Sequence, residues 1–360
     1  MTRVGITFNK NHHLHDSLLN GYPCPENPGR IKIILDYIEK SGLIDDNNIR
    51  FYDASPAYVR DILRVHTEQY VELIKACAKD PCQNPGKDVY VCPSSFDVVL
   101  QAIGCVLKAG DLVMTGECSH GYAIIRPPGH HAGPDSCNGF CIFNNSGILA
   151  RYLRDVRGLE RIAIVNMDAH ASDGTYAAFE SDPNVLCISM HQDQKTLYPF
   201  KGFIRDIGVR PALGYCINME MPTESGNSEY SIFYDEIAEK VLDKFDPQIV
   251  ILECGFDSYY KEPLANLNLT VDGYYRIIFK LASKWNVVSL LEGGYHDDLG
   301  LLASVVLRAL SGIGNIEDEV DQVDLLASRR VKTRKEFNNN LSLLKNRLEP
   351  YWGPWDVLKG

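Results

Sequence analysis

Six short runs of apolar, mostly β-branched residues punctuate the chain: Val4 to Phe8, Ala123 to Ile125, Ile162 to Asn166, Val185 to Met190, Ile249 to Leu252 and Val287 to Leu291. Apolar positions follow one another without the in-and-out alternation of a half-solvated strand, and polar or glycine residues come at once afterwards. Each run therefore predicts a strand buried on both faces. The segments between them carry helical spacing, as in Ile232, Phe233, Ile237, Val241 and Leu242, or Tyr274, Ile277, Ile278 and Leu281. Strand and helix alternate repeatedly. That is how a mainly parallel central sheet with helices on both faces is written in sequence, because parallel neighbours need crossover connections. In such α/β folds the chemistry gathers on loops leaving the carboxyl ends of the strands.

No internal repeat and no Pro/Gly/Ser linker divides the 360 residues, so a single domain over 1–360 is expected. Near the end an acidic stretch (Glu317, Asp318, Glu319, Asp321, Asp324) precedes a basic one (Arg329, Arg330, Lys332, Arg334, Lys335), which reads as a solvated helical face. A composition of 45% hydrophobic, 23% charged and 10% aromatic residues supports a sizeable core and excludes wholesale disorder. The net charge of −11 repels phosphate backbones, so no direct nucleic-acid partner is expected. No apolar signal core opens the chain and no apolar run approaches the roughly 20 residues of a membrane helix, which predicts no membrane partner and a cytoplasmic location. Eleven cysteines, an odd number without any CxxC pair, read as thiols in a reducing compartment. Cys137 and Cys141 read as buried thiols beside a site loop.

Three strand ends hold unusual polar clusters. After Ile162 to Asn166 comes Asn166-Met167-Asp168-Ala169-His170, where extended alternation would put Asn166, Asp168 and His170 on one side. After Ile249 to Leu252 comes Glu253-Cys254-Gly255-Phe256-Asp257. Two aspartates and one histidine at the same sheet edge would make a three-ligand site with an open position, as hydrolytic zinc requires. The competing reading is that Asp168 and Asp257 only cap the helices that follow. Arg126-Pro127-Pro128-Gly129-His130-His131 presents two imidazoles on a stiff loop, suited to proton transfer near neutral pH. Leu291-Glu292-Gly293-Gly294-Tyr295-His296 places a phenol on a glycine turn, where it can donate to a developing oxyanion.

These motifs, in this order, resemble the histone deacetylase family in its broad sense, including bacterial and archaeal deacetylases and acetylpolyamine amidohydrolases. The resemblance covers about residues 3–310, leaving 311–360 as a C-terminal helical extension. It is carried by Arg126-Pro-Pro-Gly-His-His-Ala132, Gly139-Phe-Cys-Ile-Phe-Asn-Asn145, Asp168-Ala-His170, Gly255-Phe-Asp257, Pro263-Leu-Ala-Asn-Leu-Asn-Leu-Thr270 and Glu292-Gly-Gly-Tyr295. The wording is closer to the class II and acetylpolyamine branch, to which Thr196-Leu-Tyr-Pro199 adds. The resemblance implies an arginase/deacetylase α/β fold and one catalytic divalent metal, usually zinc and alternatively iron(II), held by Asp168, His170 and Asp257. It implies that Tyr295 polarises the N-acetyl carbonyl, that His131 serves as general base and then acid with Asp173 behind it, and that His130 tunes the site. Gly139, Phe140 and Tyr198 resemble the walls of the channel for the acylated side chain, and Arg30 matches an arginine behind the metal pocket. The implied partner is an acylated amine, acetyl-lysine or acetylpolyamine-like; a homo-oligomer is compatible, although no dimerisation insertion stands out.

Two departures stand beside the metal. Asn166 replaces a carboxylate that in relatives supports the first histidine and helps hold a structural potassium ion, so potassium is left open although Ser189 matches one of its side-chain ligands. An amide there is expected to orient His130 without stabilising its imidazolium. Ala171 removes a histidine common next to the metal ligand. The alternatives are an arginase-like dimanganese ureohydrolase and a non-catalytic acyl-amine binding relative.

Overall fold

Eight strands lie side by side in a single sheet, every neighbouring pair parallel, in the order β2-β1-β3-β8-β7-β4-β5-β6. They are β1 (Val4–Phe8), β2 (Ile49–Phe51), β3 (His120–Ile124), β4 (Ile162–Asn166), β5 (Val185–Gln192), β6 (Cys216–Met221), β7 (Ile249–Cys254) and β8 (Val287–Leu291). The structure is a computed structural model describing residues 3–21, 23–45, 48–80, 85–86, 88–314 and 327–355. All six predicted runs are strands. The run at Ala123 is the end of a strand that begins at His120, because His120 and Gly121 pair in the sheet despite their non-β character. The sequence reading missed two edge strands, β2 and β6.

Helices α1 (Gly29–Lys40), α2 (Val59–Ile62), α3 (Glu68–Lys79), α4 (Ser95–Met114), α5 (Asn145–Arg157) and α6 (Asp173–Phe179) belong to the first half. Helices α7 (Asn227–Phe233), α8 (Glu239–Phe245), α9 (Val271–Lys284), α10 (Leu299–Ser311) and α11 (Ala327–Trp352) belong to the second, α7 and α8 being joined by a π-helical turn at Tyr234–Ala238. Two apolar cores flank the sheet. Ala163, Val165, Val250 and Leu252 face one, with α1 and α7 to α11; Ile162, Ile164, Ile249 and Ile251 face the other, with α2 to α5. Coverage of both faces is why the strand runs show no polar alternation.

Helix α11 lies along the edge strand β6: Asn340 Nδ2 donates to the Glu220 carbonyl at 2.8 Å, and Thr333 Oγ1 to the Thr223 carbonyl at 3.1 Å. Phe337, Leu341, Leu344 and Leu348 are buried beneath it. Its basic residues stay outside, Arg329 pairing with Glu224 and Arg334 with Glu229, each at 2.8 Å. The acidic stretch at 317–324 lies outside the described residues. Among the described residues no helix is long and apolar enough to cross a membrane, and ten cysteines are free thiols.

Candidate active site

The strands β3, β8, β7 and β4 are consecutive neighbours at the centre of the sheet, and the loops leaving their carboxyl ends converge. From β4 come Asp168 and His170, from β7 Asp257. His170 Nδ1 lies 3.0 Å from Asp168 Oδ1 and 2.7 Å from Asp257 Oδ2, and one donor atom from each of the three residues falls within 4.8 Å of the others. Neither aspartate caps a helix. Asp168 accepts the backbone N–H groups of His170 and Gly293, both at 2.8 Å, and Asp257 accepts that of Ala169 at 2.6 Å. Both carboxylates are fully buried. A Cβ on Gly255 would lie 2.0 Å from Asp168 Oδ2, and one on Gly293 2.6 Å from an oxygen of each aspartate. Two backbones can press on the carboxylates only because these positions lack side chains.

The charge in this cluster is lopsided. Burial and the charge of Asp168 push the Asp257 carboxyl well above its ordinary range. Burial alone would lower His170, but the charges and hydrogen bonds of Asp257 and Asp168 outweigh it and hold the imidazole up to about 10. Two buried carboxylates around one imidazole concentrate negative charge at a single point, a setting that suits a cation.

The loop after β3 sets His130 and His131 beside the cluster, their rings 4.0 Å apart. His131 Nδ1 is 2.7 Å from Asp173 Oδ1, at the first residue of α6. Burial would raise Asp173, but the hydrogen bond and charge of His131 outweigh it and lower it. His130 Nε2 is 3.9 Å from Asp168 Oδ2. Burial, with the charge of His131, holds His130 down to about 4. The expected support from Asn166 is absent: the Asn166 amide bonds elsewhere, to the His170 carbonyl and Ser189 Oγ at 2.9 Å, and His130 Nδ1 has no hydrogen-bond partner among the described residues. Strand alternation stops where β4 ends at Asn166, and the amide meets the backbone of Asp168 and His170 rather than lining up with their side chains.

The turn after β8 carries Tyr295. Its backbone N–H donates to Glu262 Oε2 at 2.8 Å, its ring meets Phe140 edge-on at 5.6 Å, and Arg30 stands over it at 4.8 Å. Burial holds its phenol well above the ordinary range, so it stays protonated. Arg30 lies in the first turn of α1 but is buried, donating to the carbonyls of Gly294 at 2.9 Å and Glu292 at 2.5 Å. Tyr198 faces the rings of His131 at 5.0 Å and His170 at 6.4 Å. Phe140, beside Tyr295, and Tyr198, beside the histidines, are both partly exposed.

Four buried acids and one surface lysine escaped the sequence reading. Glu292 Oε2 accepts the N–H groups of Gly129 at 2.8 Å and His130 at 3.3 Å, which ties the histidine loop to the tyrosine turn. Glu26 pairs with Arg126, Glu262 anchors Tyr295, and Glu253 is taken up by the hydroxyls of Ser146, Ser172 and Thr175. Lys201 Nζ approaches the second oxygen of Asp173 at 3.4 Å. Its loop occupies the space left by Ala171: a Cβ at Gly202 would lie 2.9 Å from the Ala171 Cβ. The motif Glu-Gly-Gly-Tyr contained the signal for Glu292; nothing local marks the others.

The histone deacetylase domain matches residues 24–310. A probable deacetylase of Archaeoglobus fulgidus is 32% identical over 362 aligned positions, covering 97% of this chain and 98% of that protein. A probable deacetylase of Methanothermobacter thermautotrophicus is 36% identical across 80% of this chain and 86% of its own length. A histone deacetylase-like amidohydrolase of Pseudomonas aeruginosa is 31% identical, with 80% and 76% covered. The crystal structure of the HDA15 HD domain matches with a TM-score of 0.86 at 24% identity, over 98% of this chain and 95% of that one, so the two share the fold.

Proposed function

The chain belongs to the histone deacetylase family, and on that premise we propose that it is a zinc-dependent amidohydrolase removing acetyl or another short acyl group from a lysine side chain or a polyamine-like amine. The observation that carries this reading is the convergence of Asp168, His170 and Asp257 beside the His131–Asp173 pair and the Tyr295 turn. Two buried carboxylates with one imidazole fit a divalent cation in both donor type and charge. Zinc, with iron(II) as the alternative, would be held by these three residues. When bound, it would polarise the amide carbonyl and make water nucleophilic near neutral pH.

The protein's own groups supply the rest. The Asp173 carboxylate accepts a hydrogen bond from His131 Nδ1–H, which fixes the tautomer and leaves Nε2 free to take a proton from the attacking water. Asp173 then stabilises the imidazolium, which returns the proton to the departing amine. His130, kept neutral by burial, shapes the field beside His131 without adding a second positive charge. The protonated Tyr295 phenol donates a hydrogen bond to the carbonyl oxygen as negative charge develops there. Phe140 and Tyr198 would flank a thin aliphatic stem between them. Free thiols support a reducing, cytoplasmic setting. The dimanganese reading gains no support: among the described residues the other candidate donor group, His130, Cys141 and Glu292, contains no aspartate to bridge two ions.

The test is zinc analysis followed by a panel of acetyl-lysine peptides, longer acyl-lysine peptides and acetylated polyamines. Stoichiometric metal with turnover of at least one acyl amide, lost in His131→Ala, supports the reading. A metal-loaded protein inert toward the whole panel rejects it in favour of a binding role.

A further inference from the structure

We propose that the place a structural potassium ion takes in relatives is filled here by the side-chain amide of Asn166, so that this chain is built without an alkali cation. Three oxygens converge behind the metal centre: the carbonyls of Asp168 and His170 and the hydroxyl of Ser189. Asn166 Nδ2 lies 3.5, 2.9 and 2.9 Å from them. The amide cannot be turned the other way without loss, because its Oδ1 accepts the Asp168 N–H at 3.4 Å. Its two N–H groups therefore point at the oxygens that a cation would need.

The hydrogen bonds beyond Asn166 close without a cation. His191 Nε2 is 2.9 Å from the Gly202 carbonyl, which can only accept, so Nε2 carries the proton. Burial holds His191 down to about 4, so the ring is neutral and Nδ1 is an acceptor. Ser189 Oγ, 2.8 Å from Nδ1, must then donate to it, and accepts from Asn166 in turn. The run Asn166 to Ser189 to His191 to Gly202 has one proton per link and none missing.

The displaced charge also has a place. Asn166 on β4 is the register partner of Glu253 on β7, so a buried carboxylate sits one strand away from where relatives carry it. Both its oxygens are occupied, Oε1 by Ser146 and by Thr175 at 2.6 Å, Oε2 by Ser172. The space left between Asn166, Ser172, Thr175, Ser189, Asn218 and Glu253 is about 10 Å³. That is room for a single water at most.

The experiment needs no substrate, so its outcome stands apart from the deacetylase reading. Wild type and Asn166→Asp are melted as metal-loaded proteins in potassium, sodium and tetramethylammonium chloride at equal ionic strength, and potassium content is measured after dialysis. Wild type is expected to melt at one temperature in all three salts and to retain no potassium. Asn166→Asp is expected to melt higher in potassium and to hold one ion per chain. A potassium-specific rise or a retained ion in wild type overturns the proposal, as does an Asn166→Asp protein that folds but ignores potassium. Should that variant fold in no salt, the wild-type measurement alone decides.

Discussion

Glu26 and Arg126 form a two-point ion pair with neither side chain reaching solvent: Nε to Oε1 is 2.8 Å and Nη2 to Oε2 is 2.7 Å. Arg126 opens the loop that carries His130 and His131, while Arg30, 3.4 Å from the same Glu26 carboxylate, grips the turn that carries Tyr295. One carboxylate thus joins the two loops that frame the cluster of Asp168, His170 and Asp257.

Glu26→Gln should cost on the order of 3 to 5 kcal/mol, because it leaves Arg126 buried without its counter-charge. The pH dependence has a definite sign. Burial would raise Glu26, but Arg126 and Arg30 outweigh it and hold the carboxyl down to about 2 from its ordinary 4.5. Its stabilisation is whole above pH 4.5 and fades as pH falls toward 2. Urea unfolding of the two proteins across that window should show the gap closing; a gap that holds constant contradicts this account.

Gly293→Ala should empty the metal centre. The added methyl would meet both Asp168 and Asp257 at 2.6 Å, so the carboxylates must spread or the turn must lift. Metal analysis is expected to show strongly reduced zinc in a protein that still folds. Full zinc occupancy would mean the glycine is not needed for close approach.

Tyr295→Phe should lower kcat by about 10²- to 10³-fold, the usual loss of one oxyanion donor. Zinc content should not change, since the phenol is not among the three ligands. A matching fall in metal content would assign the tyrosine to ligand positioning instead.

In the proposed mechanism Asp173 acts through His131, 2.7 Å away, which sets a test by double substitution. Asp173→Asn alone should reduce kcat by about 10²-fold or more. In a His131→Ala background the same change should cost almost nothing further, because its only route to the substrate is gone. Additive losses would give Asp173 a role of its own.

The sequence carried the centre of this molecule well and its supports poorly. Asp168, His170 and Asp257 were legible because buried parallel strands end abruptly, and polar residues just past such ends gather at one edge. Strand β2 was invisible because three residues are too few for a pattern, and β6 because Asn218 and Glu220 interrupt its apolar run. Glu26 and Glu253 could not be foreseen: their partners, Arg126 for the one and Ser146, Ser172 and Thr175 for the other, are distant in sequence and meet only through the fold. Asn166 was expected beside His130 because relatives carry a carboxylate there, and on one side with Asp168 and His170 by extending strand periodicity beyond the strand. The backbone turns there, and the amide meets Ser189 instead.

Strands β3 and β4 follow one another in the chain, yet β8 and β7 stand between them in the sheet. As the polypeptide leaves the ribosome, the first six strands can assemble only as two separate three-strand blocks, which remain unjoined until the last two strands are made and inserted. A product that stops short of β8 already holds Asp168, His170 and Asp257, but its histidine loop is stranded on the other block. Quality control would meet such a fragment as two open sheet edges, prone to aggregate before any chemistry could begin.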